Sequence, residues 1–184
     1  MINKYLITSR EFYTDTPAVF RSILHEQFVK HSPNYALYRD KSNQNYAAQA
    51  EHFVEVCSQF EGLKSFIHQK VDLAKELNAT GVHLTSKQFD EIQKAKESGL
   101  EVIISTHTHE EVLKAQSLGA DAVTYSPIFA SPGKGEPKGI ADLKELLNKC
   151  DIKVFALGGI VEQQQIKAVE EAGSYGFASI RYFY

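Results

Sequence analysis

The chain has 184 residues, of which 43% are hydrophobic and 23% charged, and its formal net charge is −3. Such a length and apolar content suit a single folded domain over residues 1–184 and exclude a disordered chain. The charge gives no electrostatic reason to expect a nucleic-acid or anionic-membrane partner, and no apolar run is long enough to span a bilayer. Cys57 and Cys150 lie far apart and form no C-x-x-C pair, so they read as reduced thiols and the cytoplasm is the expected compartment.

In chain order, Tyr5-Leu-Ile-Thr-Ser opens the first predicted strand. Phe20, Ile23, Leu24 and Phe28 recur at helical spacing. Tyr35–Tyr38 is a second strand, followed at once by Arg39-Asp-Lys, and Ala47–Cys57 is a helix. Gly62–His68 is a weaker third strand, and Val71–Leu77 a short helix. Gly81–Leu84 is a fourth strand, after which Ser86 is a candidate cap for a helix running to Ser98. Glu101–Thr106 carries Val102, Ile103 and Ile104 in a row, as a strand buried on both faces requires. Glu110–Leu118 is a helix with Gly119 as its C-cap. A strand from Asp121 ends at Ser126-Pro127 and feeds a loop rich in Gly, Pro and Lys, before Leu143, Leu146 and Leu147 restart a helical rhythm. Lys153–Leu157 is a buried strand ending in Gly158-Gly159. The next helix carries Ile166, Val169 and Ala172 and stops at Gly173, and Gly176–Phe183 reads as the last strand.

Strands and helices alternate throughout, which means parallel strands with helices outside. About eight strands favour a closed (β/α)₈ TIM barrel over an open sheet, although roughly 250 residues is the usual length for that fold. No helix is predicted after the last strand. The seam between last and first strands then needs cover, so Tyr182, Phe183 or Tyr184 is expected to be buried by neighbouring helices or by the second copy of a homodimer.

In such barrels chemistry sits at the carboxyl ends of the strands. The residues placed there are Arg39, Lys41, His68, His83, Thr85, Ser105, His107, Ser131, Lys134, Gly158, Gly159, Ile180 and Arg181. Gly158-Gly159 and Ile180-Arg181 follow the seventh and eighth strands, where backbone amides commonly hold phosphate. A simple tight turn is the other explanation of the diglycine, and a surface ion pair that of Arg181. His83 lies within an apolar strand, where a hydrogen-bonded core histidine competes with a ligand-binding one. His107 is either an acid–base group or the opening of a helix. No H-x-x-x-H, carboxylate cluster or Cys/His set argues for a metal.

Several stretches follow one another in an order and spacing that resemble a known family. They are Gly81-Val-His-Leu, Ser105-Thr-His-Thr-His-Glu-Glu, Gly119-Ala-Asp-Ala-Val, Pro127-Ile-Phe-Ala-Ser-Pro-Gly-Lys, Ala156-Leu-Gly-Gly-Ile and Ala172-Gly. The chain is similar, over nearly its whole length, to the thiamine phosphate synthase / TenI family. That resemblance implies a (β/α)₈ barrel acting in thiamine biosynthesis. One branch joins a pyrimidine pyrophosphate to thiazole phosphate and releases pyrophosphate. Another converts a thiazole carboxylate phosphate to its aromatic isomer.

Measured against the family pattern, Arg39 and Lys41 remain, but Leu37 stands at a glutamine position. His68-Gln69 replaces an Asn-Asp pair and Gln88 replaces a second aspartate, so both carboxylates that bind Mg²⁺ in the synthase branch are amides here. Pro127 stands where the tautomerase branch has its histidine. Ser131 replaces a threonine, Gly133 a hydroxyl residue and Arg181 a serine, while Lys134 matches. These departures lead us to expect a TenI-like protein that binds thiazole phosphate, or a related small phosphorylated heterocycle, and moves a proton without metal or other cofactor. Gly158, Gly159, Ile180 and Arg181 would hold the phosphate. Arg39, Lys41 and Lys134 would meet a second anionic group, with Ser105 and Ser131 in further contact. Asp40, His83 and His107 are the candidate proton carriers. The alternatives are a thiamine phosphate synthase, which alone would need Mg²⁺, and a non-catalytic ligand-binding homologue.

Overall fold

A computed structural model describes residues 1–184. Eight parallel strands close a barrel in sequence order, with β8 pairing back to β1. The strands are β1 (Asn3–Ile7), β2 (Tyr35–Tyr38), β3 (Lys64–His68), β4 (Gly81–Leu84), β5 (Glu101–Thr106), β6 (Ala122–Tyr125), β7 (Lys153–Leu157) and β8 (Gly176–Ser179). The helices are α1 (Arg10–Tyr13), α2 (Pro17–His31), α3 (Tyr46–Cys57), α4 (Val71–Glu76), α5 (Ile92–Glu97), α6 (His109–Ser117), α7 (Gly139–Lys149) and α8 (Gln163–Glu171). The TIM barrel expected from the alternation is the observed fold.

Strand parity divides the apolar residues into two cores. Outward-facing residues such as Leu6, Ile67, Val82, Ile104 and Val123 pack under the helices. Inward-facing residues form a separate cluster inside the barrel, including Tyr5, Tyr35, Leu37, Phe66, Ile103 and Phe155. Its aromatic rings are closely set: Phe155 lies 5.0 Å from Tyr5 and 4.9 Å from Tyr35 between centroids. Two glycines make room for them. A Cβ on Gly81 would come within 2.6 Å of the Phe66 ring, and one on Gly176 within 2.6 Å of the Phe155 ring. Below this layer Lys64 pairs with Glu101 at 3.0 Å, and the Tyr35 and Tyr175 hydroxyls meet at 2.8 Å, so the amino-terminal end of the barrel is closed. The open end is the carboxyl end of the strands.

The inward Thr124 of β6 is fully buried, yet its hydroxyl finds no partner in the chain. A buried, unpaired hydroxyl carries a desolvation cost of about 1–3 kcal/mol. Thr124→Val keeps the shape and removes that cost, so urea unfolding is expected to show a gain of about 1 kcal/mol. A loss of stability would show that the hydroxyl is satisfied.

The observed bounds of β2, β4, β5 and β7 are the predicted ones, and β6 takes the strand formers Ala122–Tyr125 that follow Asp121. The last strand was read too long. Ser179 ends it, because the Ser179 hydroxyl donates to Ile160 O at 2.8 Å and accepts from Tyr182 N at 3.1 Å, which bends the chain into a 3₁₀ turn over Arg181–Phe183. The first strand spans Asn3–Ile7 rather than beginning at Tyr5, and the third begins at Lys64 rather than Gly62. Ser86 caps no helix: a 3₁₀ turn, Phe89–Glu91, leads into α5 instead. Of the seam rings Phe183 alone is buried, Tyr182 is half-buried and Tyr184 stays exposed. Phe183 is fully buried, stacked on Phe177 at 5.7 Å and meeting the His31 ring of α2 edge-on at 5.2 Å, while Tyr184 stacks on Phe12 of α1 at 4.5 Å.

Candidate active site at the barrel mouth

The ends of β7 and β8 are adjacent in the sheet and are tied together beyond it. Besides the Ser179–Ile160 bond, Gln163 Nε2 donates to the Tyr182 hydroxyl at 2.6 Å. The backbone N–H groups of Gly158, Gly159, Ile180 and Arg181 donate to no acceptor in the chain. Gly158 and Gly159 take φ values of 108° and 68°, a region that side chains rarely adopt. Unpaired amides of half-buried residues beside the exposed Arg181 form a positively polarised corner that suits a phosphate monoester.

A second constraint fixes the same glycines. The loop after β6 docks on the end of β7 through Ile128 N to Leu157 O and Phe129 N to Gly158 O, both 3.0 Å. A Cβ on Gly158 would lie 2.7 Å from Pro127 Cα, and one on Gly159 would overlap the Ala130 carbonyl oxygen. The diglycine therefore serves close loop packing as well as turn geometry. Ser131 and Lys134 lie farther along this loop, Ser131 half-buried and Lys134 exposed, with Lys134 N bonded to Ser131 O at 3.2 Å.

On the other side of β1, a cleft of about 470 Å³ opens between the ends of β2 and β3. Its walls include Asp40, Lys41, Asn43, Tyr46, Gln69 and Lys70. Tyr46 braces it, donating to Tyr38 O at 2.8 Å and accepting from His68 N at 3.0 Å. Lys41 and Lys70 are its cations, and its one carboxylate, Asp40, is already paired with Arg10.

The family resemblance implies Mg²⁺ between carboxylates that follow β3 and β4. Gln69 and Gln88 occupy those positions. Gln88 is already spent: its Nε2 donates to Gln69 O at 3.1 Å and to Glu91 Oε2 at 2.7 Å, and its Oε1 accepts from Thr85 N at 3.0 Å. No three His, Cys, Asp or Glu side chains gather in a way that could hold an ion. Mg²⁺ is normally held through carboxylate oxygens, so these residues do not fit it.

The three candidate proton carriers differ sharply in surroundings. Asp40 is buried and engaged by Arg10, whose Nε lies 3.0 Å from Asp40 Oδ2. His83 is buried inside the barrel, with Nδ1 2.7 Å from the Tyr5 hydroxyl and Nε2 2.9 Å from Ser105 Oγ. His107 is exposed on the rim, with Nδ1 3.3 Å from both Ser126 O and Ser126 Oγ. The structure thus bonds none of the three to another and leaves His107 the most accessible.

Burial and the nearby Arg39 and Lys41 charges push the His68 pKa down to about 4. A histidine depressed below its ordinary 6.5 is protonated more readily in the unfolded chain, so stability is fully present above pH 6.5 and falls as pH drops towards 4. At pH 5 the loss is expected to be about 2 kcal/mol. Urea unfolding at pH 7 and pH 5 checks it: His68→Gln should show a smaller drop than the wild type, and an equal drop refutes the assignment.

Sequence reasoning missed Tyr5, Tyr46 and Lys70. Strand parity could have placed Tyr5 inside the barrel, and Lys70, two residues beyond His68, belongs to the same rim. Nothing in the sequence marks Tyr46 as the brace between β2 and β3.

The family described as thiamine monophosphate synthase matches residues 4–183. The chain is 38% identical over 120 residues to a protein named putative thiamine-phosphate synthase 2 from Aquifex aeolicus, covering 64% of each. It is 32% identical over 150 residues to a thiamine-phosphate synthase of Synechocystis, covering 78% of this chain and 43% of that one. The chain thus spans less than two thirds of the length of these relatives. Among solved structures it is similar to a thiamine phosphate pyrophosphorylase from Pyrococcus furiosus, with a TM-score of 0.81 and 23% identity over 97% of this chain and 85% of that one.

Proposed function

The chain belongs to the thiamine monophosphate synthase family, and from that premise we propose that it joins a thiazole phosphate to a pyrimidine pyrophosphate at the barrel mouth. The observation that carries this reading is two separate clusters of free donors and cations on one rim. The free amides at the ends of β7 and β8, with Arg181, suit a monophosphate. The Lys41–Lys70 cleft at the ends of β2 and β3 suits a diphosphate. β1 alone separates them in the sheet. A joining reaction with these two substrates needs both features at once. The thiazole nitrogen forms the new C–N bond, and the C–O bond to pyrophosphate breaks. Lys41 and Lys70 stabilise the charge that gathers on the departing oxygen. The names of the relatives support this reading over the tautomerase expected from the sequence.

One observation favours that tautomerase as a second reading. Gln69 and Gln88 stand where the resemblance puts metal carboxylates, and proton transfer needs no ion. His107 is then the proton carrier with access to the rim.

The purified protein is given thiazole phosphate and pyrimidine pyrophosphate, with and without a chelator, and thiamine phosphate is measured by its fluorescence after oxidation. Product formation is expected in both arms, because Gln69 and Gln88 stand where the resemblance puts the ion's carboxylates and the proposed step is carried by the lysines. Its absence, together with isomerisation of the thiazole carboxylate phosphate, establishes the second reading. Absence of both, with thiazole phosphate still raising the melting temperature, leaves a non-catalytic binding protein.

A further inference from the structure

A chain of three side chains crosses the barrel interior: the Tyr5 hydroxyl, the His83 imidazole and Ser105 Oγ, linked at 2.7 and 2.9 Å. Its two ends differ. Tyr5 is fully buried, and its hydroxyl has His83 as its one hydrogen-bond partner. Ser105, near the end of β5, is partly exposed, and its hydroxyl has no other hydrogen-bond partner.

The direction of the chain follows from proton counting. A neutral imidazole carries one N–H. If Nδ1 carried it, that N–H would donate to the Tyr5 oxygen, and the tyrosine proton would be buried with no acceptor. If Nε2 carries it, Tyr5 donates to Nδ1, Nε2–H donates to Ser105 Oγ, and every buried donor is satisfied. A buried donor without an acceptor is the more costly state. Protonation of both nitrogens would again strand the tyrosine proton, and it would put a charge in the apolar interior with His68 and Arg39 nearby and no carboxylate beside the ring.

We infer that Tyr5 and His83 are positioning residues that fix the Nε2–H tautomer and so present the Ser105 hydroxyl to the mouth as a hydrogen-bond donor. Ser105 then selects a ligand atom that accepts: a ring nitrogen without hydrogen, a carboxylate oxygen or a phosphate oxygen. An N–H or NH₂ group at that place reaches only the one lone pair that His83 leaves on Oγ, and the serine proton is then left without an acceptor. The selection rests on the mouth being the ligand site; the tautomer does not.

Two experiments separate these parts. Long-range ¹H–¹⁵N correlation on the labelled free protein reads the tautomer directly, the His83 signals being assigned by their loss in His83→Gln. A pyridine-like Nδ1 and a pyrrole-like Nε2 are expected, and the reverse overturns the inference whatever the ligand is. In Tyr5→Phe, whose ring keeps the packing, the single tautomer should give way to a mixture. If Tyr5→Phe leaves the His83 signals unchanged, Tyr5 does not fix the tautomer. The selection is tested by calorimetric titration with thiazole phosphate. Ser105→Ala is expected to weaken binding about tenfold, and Tyr5→Phe about threefold in the wild type but not in the Ser105→Ala background. Equal threefold losses in both backgrounds would show that Tyr5 acts through general packing. A pyridine-like Nδ1 with no binding of thiazole phosphate would overturn the proposed ligand and leave the tautomer standing.

Discussion

Gly159→Ala is expected to weaken the binding of thiazole phosphate at least tenfold and to destabilise the fold by about 2–5 kcal/mol. Two effects add. At φ 68° an L-residue with a Cβ costs about 1–2 kcal/mol relative to glycine. The new methyl also overlaps the Ala130 carbonyl oxygen and lies 3.0 Å from the Phe129 carbonyl carbon, both backbone atoms that cannot rotate away. Relief requires the β6–α7 loop to lift from β7, with loss of the Phe129 N to Gly158 O bond, or the turn to rotate its amide out of the phosphate corner. Either movement harms the anion site. Calorimetry with thiazole phosphate and urea unfolding check the two parts. Unchanged affinity in a folded variant would show that these amides do not hold the phosphate. Gly133→Ala is the control: it has positive φ, but its Cβ would meet nothing within 4 Å.

Phe155→Ala is expected to cost about 3–5 kcal/mol and to lower the melting temperature by roughly 6–20 °C. The ring is fully buried at the centre of the internal aromatic cluster, within 5.0 Å of Tyr5, 4.9 Å of Tyr35 and 5.4 Å of Tyr175. The cavity is poorly placed to collapse, because hydrogen-bonded strands enclose it on all sides. The loss also reaches the mouth. Tyr5 rests on Phe155 and supports His83, so looser packing there frees the ring that orients Ser105. Thermal unfolding measures the first effect. A loss below about 1 kcal/mol would mean that the barrel interior closes around the gap.

The alternation of elements was legible because a parallel strand buried on both faces must be short and apolar, as Val102–Ile104 and Val154–Ala156 are. The fold followed from that, and so did the set of residues on the rim. The last strand was read too long for a physical reason. Ile180, Tyr182 and Phe183 are as apolar as strand residues, and the bend that stops the strand is made by one serine hydroxyl bonding to residue 160. The site was less legible because its working pairs are distant in sequence. Arg10 reaches Asp40, Tyr5 reaches His83, and neither partner announces the other. Gly158 and Gly159 were expected as phosphate ligands, and their packing against Pro127–Ala130 depends on a loop whose path no local pattern sets.

That docking divides the segment after β6 into two parts with different freedom to change. Residues 127–130 are clamped by main-chain bonds to Leu157 of β7 and to Gly158, and Lys138 N and Gly139 N bond back to Pro127 O and Ile128 O at 2.8 and 2.9 Å. The intervening Ser131–Pro137 is a closed hoop whose base is fixed at both ends. Its length and sequence can therefore be varied, or a longer hoop grafted in, with little disturbance to the barrel. For anyone redesigning ligand choice, that hoop is the place to start.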